Sequence, residues 1–306
     1  MPNVLDGIQS ALDPHGPEAA GIAQIAWVMI GGGTAILVLV VALTALALRN
    51  PPRWLASPRL VLAGGVAFPL VVLSALLAYT LVVSPRLAAS RPADVVIEVV
   101  GHQWWWAVRY LDAAGRPEFT TANEIHIPVG RAVELRLETA DVLHSFWVPA
   151  LAGKLDLVPA RDNRLRLAAD RAGRFRGQCA EYCGGPHGLM AFFVVAQPPA
   201  HFEAWRAAQR LGHEGGDARG RTLFLSHCAA CHTVRGTPAA GTRGPDLTHF
   251  ASRATLGAGI LPNDAATVMR WITASQHLKP GNLMPEFRAF TGEELQALAD
   301  YLGSLR

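Results

Sequence analysis

Two long stretches without a charged residue, 25–48 and 60–83, dominate the first third of this 306-residue chain. As helices they would each be roughly 36 Å long at about 1.5 Å per residue. The hydrocarbon core of a bilayer is about 30 Å thick, so either can cross it with some tilt. A secretory leader would need a basic start, but the first 24 residues hold no Lys or Arg and do hold Asp6, Asp13 and Glu18. A buried core helix seldom needs two dozen uncharged residues. The first 91 residues are therefore expected to form an N-terminal segment and a transmembrane helical hairpin. Arg49, Arg53 and Arg59 sit between the two stretches with no acid, and Pro51, Pro52 and Pro58 suit a turn there. Basic short loops stay cytoplasmic. That places the rest of the chain on the extracytoplasmic face of a bacterial inner membrane, in contact with lipid. The net charge of +3 gives no ground for a nucleic-acid partner.

From 92 to 200 the periodicity changes. Val133-Glu134-Leu135-Arg136-Leu137-Glu138 alternates apolar and charged residues, as a half-buried strand does. Stretches 95–100, 163–167 and 189–195 are further strands, separated by Gly, Pro and Asp, and together they predict a β-sandwich. His102 and His126 fall on strand-like stretches and read as structural. The four cysteines form two tight pairs, which points to metal or haem chemistry more than to a disulfide framework. The first pair lies in Cys179-Ala-Glu181-Tyr-Cys183-Gly-Gly-Pro-His187-Gly-Leu-Met190, with His144 upstream. Two thiolates, two imidazoles and a thioether make a soft donor set suited to copper. A closed zinc site is the alternative, but it has no use for Met190. A Cys179–Cys183 disulfide would leave both histidines unexplained.

The second pair lies in Cys228-Ala-Ala-Cys231-His232, the attachment motif of a c-type haem, with His232 as proximal axial ligand. A thioredoxin-like pair would need a βαβ setting, whereas this region has helical character. Met284, in a loop bounded by Pro280, Gly281 and Pro285, is the expected sixth ligand. Met269 reads as helix packing, and His277 is the other candidate. Pro198 and Pro199 end the sandwich, 201–218 reads as a linker rich in Gly and charge, and 219–306 reads as an all-α haem domain.

Taken together, the Cys-x-Glu-x-Cys-x-x-x-His-x-x-Met motif, the upstream His144, and Gly101-His102-Gln103-Trp104-Trp105-Trp106 resemble the copper A subunit II of cytochrome c oxidases. The C-terminal part resembles class I cytochrome c, in Gly220 and Phe224 on its first helix, Tyr301 on its last, and Gly244-Pro245 beside His232. The implied fold is a multidomain membrane protein with a helical hairpin, a cupredoxin-like sandwich and a cytochrome c domain. By the same resemblance Cys179 and Cys183 bridge two coppers. His144 and Met190 complete one copper, and His187 and the Glu181 carbonyl complete the other. The Glu181 carboxylate is left for a magnesium ion shared with subunit I, and Trp104 would be the ring where electrons arrive.

The resemblance further implies subunits I and III as partners and cytochrome c or another reduced cytochrome as donor. Oxygen reduction and proton translocation would then occur in subunit I. A nitric oxide reductase subunit carrying copper A and a free-standing membrane electron carrier are the alternative functions. The expected sandwich has nearly balanced acids and bases, so it offers no acidic surface to steer a cationic donor. No Asp or Glu occurs between Glu18 and Asp94, so the hairpin supplies no carboxylate to a proton path.

Overall fold

The computed structural model describes residues 7–49, 52–87, 93–213 and 215–306. Pro51 and the expected boundary at 91/92 lie outside them. Helix α1 runs Pro17–Arg49. A short 3-10 turn precedes α2 (Pro58–Leu62), which passes through a π-helical turn at Ala63–Ala67 into α3 (Phe68–Leu87). The apolar windows of both long helical stretches have none of their residues buried within the chain. A soluble protein would not leave that much contiguous apolar surface in water. The first helix starts earlier than the uncharged run because Glu18 is tolerated in its first turn, at the positive end of the helix dipole.

Ten strands form the second region: β1 (Val95–His102), β2 (Trp105–Leu111), β3 (Pro117–Ala122), β4 (Glu124–Pro128), β5 (Val133–Thr139), β6 (His144–Trp147), β7 (Leu155–Leu157), β8 (Asn163–Leu167), β9 (Gly173–Cys179) and β10 (Ala191–Gln197). They make two five-stranded sheets, ordered β3-β2-β1-β5-β8 and β4-β10-β9-β6-β7. Each sheet carries one parallel pair, β1 with β5 and β4 with β10. Ile97, Val99, Trp106, Tyr110, Leu135 and Leu137 from one sheet meet Phe146, Phe175 and Phe192 from the other, all fully buried. Each such side chain contributes roughly 1.5–3 kcal/mol of hydrophobic stabilisation. The alternation in β5 has one exception. Glu134 is buried, and its charge is met by Arg164 and Arg166 of β8 and by Arg136.

The segment 8–19 belongs with the sandwich. Ile8 exchanges backbone hydrogen bonds with Arg174 and Arg176, and His15 N–H donates to Ala150 O. The expected linker, 201–218, also needs correcting at its start. Helix α4 (Pro199–Gln209) fills it to Gln209, with Phe202 fully buried and Trp205 stacked on His126 at 4.1 Å. Phe202, Trp205 and Gln209 share one helical face, and Arg206 anchors the helix on Glu118 at 3.0 Å. Only about two turns' worth of chain then remains as a connection.

Asp217 caps α5 (Ala218–His227), Asp264 caps α6 (Ala265–Leu278), and a Thr291–Glu294 capping box starts α7 (Gly292–Ser304). The two-residue strands β11 (Thr255–Leu256) and β12 (Leu261–Pro262) pair between the first two of these helices. At Gly220, α5 crosses α7 so closely that a Cβ would lie 2.0 Å from Ala297 O. Beside that crossing the rings of Phe224 and Tyr301 meet at 5.5 Å.

Candidate metal and haem sites

In the sandwich, β9 delivers Cys179 at its last residue and β6 delivers His144 at its first. Phe146 and Cys179 are paired across these two strands. The loop from 180 to 190 leaves β9 and re-enters the sheet at β10, closed at its base by Cys179 N–H donating to Met190 O at 2.9 Å. The result is a compact sulfur–imidazole cluster. Cys179 Sγ lies 3.7 Å from Cys183 Sγ and 3.8 Å from His144 Nδ1. Cys183 Sγ lies 3.5 Å from His187 Nδ1 and 3.9 Å from Met190 Sδ. Glu181 turns its carbonyl inward, 3.2 Å from Cys179 Sγ, while its carboxylate faces outward 4.0 Å from Lys154 Nζ. Both cysteines are free thiols, so no disulfide joins them.

The donor set fits a metal site. Burial opposes ionisation of Cys179, yet the contact with His144 and the surrounding backbone bring its thiol down to about 7. Burial, and then the neighbouring Cys179 charge, push Cys183 up to about 12. Two thiolates this close cannot both form unless cations sit between them. Five soft side-chain donors converge here, all of them candidates named from the sequence.

The structure adds supports that sequence reasoning missed. Asp141 Oδ1 lies 2.8 Å from His144 Nε2, which fixes that ring with Nδ1 towards the cysteines. The same carboxylate accepts backbone N–H bonds from Gln103 and Val142. Gln103 Nε2 and Trp104 Nε1 both donate to Cys183 O, at 2.8 and 3.0 Å. Gly101 leaves room for the ligand ring, since a Cβ there would stand 2.8 Å from His144 Cδ2. The one sequence signal for Asp141 was its place three residues before the candidate ligand His144.

In the helical domain, Cys228 follows α5, and the next turn brings Cys231 and His232. His232 Nδ1 donates to Pro245 O at 2.8 Å, leaving Nε2 with its lone pair for an iron. Burial holds this imidazole below its ordinary range, in the neutral form that a ligand needs. Gly244 is required beside it, because a Cβ there would be 2.6 Å from the ring. Arg253 is buried near this histidine, and its Nε has no partner among the described residues, a donor that an acidic group of a haem could take.

Met284 and Cys228 pack against the same small core, and Met284 Sδ accepts from Trp271 Nε1 at 3.1 Å. Met269 lies within α6, and His277 is exposed near its end. Those residues fit a covalently held haem.

Cytochrome c oxidase subunit 2 of Alkalihalophilus pseudofirmus is 35% identical over 97% of this chain and 91% of its own length. This chain belongs to the cytochrome c oxidase subunit 2 family. The Bacillus sp. (strain PS3) relative is 34% identical over 69% of this chain and 62% of its own. Residues 114–197 match the family described as cytochrome C oxidase subunit II, periplasmic domain, and 218–306 match cytochrome c. Among solved structures, the periplasmic domain of subunit II of cytochrome oxidase from Bradyrhizobium japonicum is 28% identical, covering 40% of this chain and 97% of its own, with a TM-score of 0.37.

As a subunit 2, the chain is an electron-transfer component of an oxidoreductase, and its two matched domains imply copper A and haem c. In this subunit 2 the three tandem tryptophans divide their work. Trp106 is fully buried between Phe146 and Phe192, Trp105 stacks on His102 at 4.3 Å, and Trp104 is half-buried against the copper-site loop.

Proposed function

We propose that this chain relays electrons from an external reduced cytochrome, through its haem domain and then its copper site, to the oxygen-reducing subunit I of a bacterial haem–copper oxidase. The observation that carries this reading is the pair of thiols 3.7 Å apart with one histidine nitrogen beside each. Haem c and a two-copper cluster, when bound, supply reversible one-electron chemistry.

The residues of the chain supply the frame. Cys228 and Cys231 would hold the haem covalently, and His232 and Met284 would supply the ligands to its iron. Cys179, Cys183, His144, His187, Met190 and the Glu181 carbonyl would hold the copper. A sheet-end scaffold keeps these ligands still as charge arrives and leaves, so little reorganisation accompanies each electron. The outward Glu181 carboxylate is placed to share a magnesium ion with subunit I, and subunit III completes the expected core. The two apolar helices anchor the chain in the inner membrane with both cofactor domains outside. Since 19–93 contains no Asp or Glu, the proton path begins on other subunits or on water.

Electron paramagnetic resonance of the oxidised, purified chain tests this. The expected spectrum shows one unpaired electron coupled to two copper nuclei, beside a low-spin haem signal. A four-line pattern from one copper, or zinc with no signal, would refute the copper assignment.

A further inference from the structure

Lys279 ends α6 in the haem domain, yet its ammonium reaches the sandwich. It is 2% exposed, and Nζ donates to Trp104 O at 2.7 Å and to Gly257 O at 3.0 Å. Among the described residues no carboxylate pairs with it. Burying a lysine without a counter-ion is costly, and an apolar side chain of that length would fill the space without the penalty. Burial pulls the group down to about 7. An amine and an ammonium both carry enough N–H groups for two carbonyls, so the contact survives either state.

What this lysine joins gives it a role. On one side, Asn282 Nδ2 donates to Lys279 O at 2.8 Å, and Met284 N–H donates to Asn282 Oδ1 at 2.9 Å. On the other, Trp104, whose carbonyl accepts from Lys279, donates through Nε1 to Cys183 O at 3.0 Å. A chain of short hydrogen bonds therefore runs Met284–Asn282–Lys279–Trp104–Cys183, from the expected haem ligand to the expected copper ligand. The same loop approaches the copper-site loop at Gly281, where a Cβ would lie 3.5 Å from Pro186. Further bonds between the two domains lie on different segments, among them Arg176 to Gly259 O, Ala191 N–H to Ala258 O, and Ala254 N–H to Glu124.

We propose that Lys279 is a positioning residue that locks the haem-ligand loop onto Trp104, and through it onto Cys183, fixing the route between the two centres. The clamp is a property of the protein, whereas its use for electrons rests on the function proposed above. One electron leaves the haem side and arrives on the copper side, with no bond made or broken. It follows that Trp104 receives electrons from this chain's own haem domain.

The test uses the full chain in detergent, comparing wild type with Lys279→Met and Arg176→Ala. Two quantities are read: hydrogen exchange of segments 101–106 and 254–260, measured with and without cofactors, and the rate of haem-to-copper transfer after flash reduction. Lys279→Met should speed exchange in 101–106 and slow transfer by about tenfold or more, as small misplacements do, with both optical spectra unchanged. Arg176→Ala should loosen 254–260 and leave the rate alone.

Wild-type exchange and rate in Lys279→Met would overturn the proposal, as would equal slowing by Arg176→Ala. If Lys279→Met does not fold, Asn282→Ala cuts the same chain on the haem side, and an unchanged rate there is equally fatal. Should the wild-type chain bind neither cofactor, the functional reading fails, and exchange alone decides the clamp.

Discussion

In the sandwich, His144, Cys179, Cys183 and Met190 are all buried inside the core that folds the domain. In the cytochrome domain, Cys228, Cys231, His232 and Met284 are only half-buried, at the margin of a much smaller core. The first set is held by strand pairing and by the loop-closing hydrogen bond from Cys179 N–H to Met190 O. The second set hangs on two loops, one after α5 and one after α6, that helix packing alone draws together. The difference teaches which domain makes its site and which is completed by it. A sheet-held cluster draws its order from the sandwich core, whereas a haem bonded to two cysteines would itself complete the smaller core.

The largest expected effect breaks the comparison at its root. Replacing Cys228 and Cys231 together with Ala should remove the haem and unfold most of 218–306, because an apolar core this small is marginal without it. Hydrogen exchange would show protection lost there and kept across β1–β10. Cys179→Ser should do the reverse, abolishing the two-copper signal while protection in both domains and the haem spectrum stay as they were. A cytochrome domain that stays protected without its cysteines would erase the distinction.

Met284→Ala is the next largest. It should remove the weak far-red band of methionine–iron coordination and leave the domain folded, whereas Met269→Ala should keep the band. The opposite result would assign the ligand to α6.

Asp141→Asn sharpens the copper side. The carboxylate fixes which His144 nitrogen faces the cysteines, and losing such a partner typically costs about 10–100-fold in metal affinity. Competition with a copper chelator should show that loss without any change in haem content. Unchanged affinity would mean that Gly101 and the sheet orient His144 on their own.

Ligand residues were legible in the sequence because their chemistry needs fixed spacings: two Cys four apart, His187 four further on, Met190 three beyond. The strands were legible where alternation was clean, as at 133–138 and 163–167. Helix α4 was missed because its apolar face is only Phe202 and Trp205 among polar and small residues, so the segment read as part of a linker. Its fit depends on His126 and Glu118, far away in the chain. Gln103 and Lys279 were hidden for the same reason. A residue that braces another across the fold carries no local spacing rule, and its role appears only when distant segments are brought together.

Glu124 lies at the seam between the two regions and gives the smallest expected effect. It sits on β4, buried, bonded to His126 Nε2 at 2.8 Å and accepting from Ala254 N–H of the cytochrome domain at 3.2 Å. Burial pushes its carboxyl upward, but the hydrogen bond and charge of His126, the Ala254 N–H and the Arg174 charge outweigh it and hold the group below its ordinary 4.5. Arg253 also faces it from the haem domain. A carboxylate whose folded pKa lies below its unfolded one stabilises the fold above the unfolded value. That contribution fades as pH falls from about 4.5 through the folded value. Acid should therefore weaken the grip between domains before it disturbs either core. Glu124→Gln should cost about 1.5–3 kcal/mol at neutral pH, the range for a hydrogen bond to a charged group, and should flatten the acid limb. Thermal unfolding at pH 7 and pH 4, followed at 254–260 by hydrogen exchange, measures both. Equal acid sensitivity in the variant would show that the seam is held without this charge, leaving Lys279 and the backbone bonds of 258–259 to hold it.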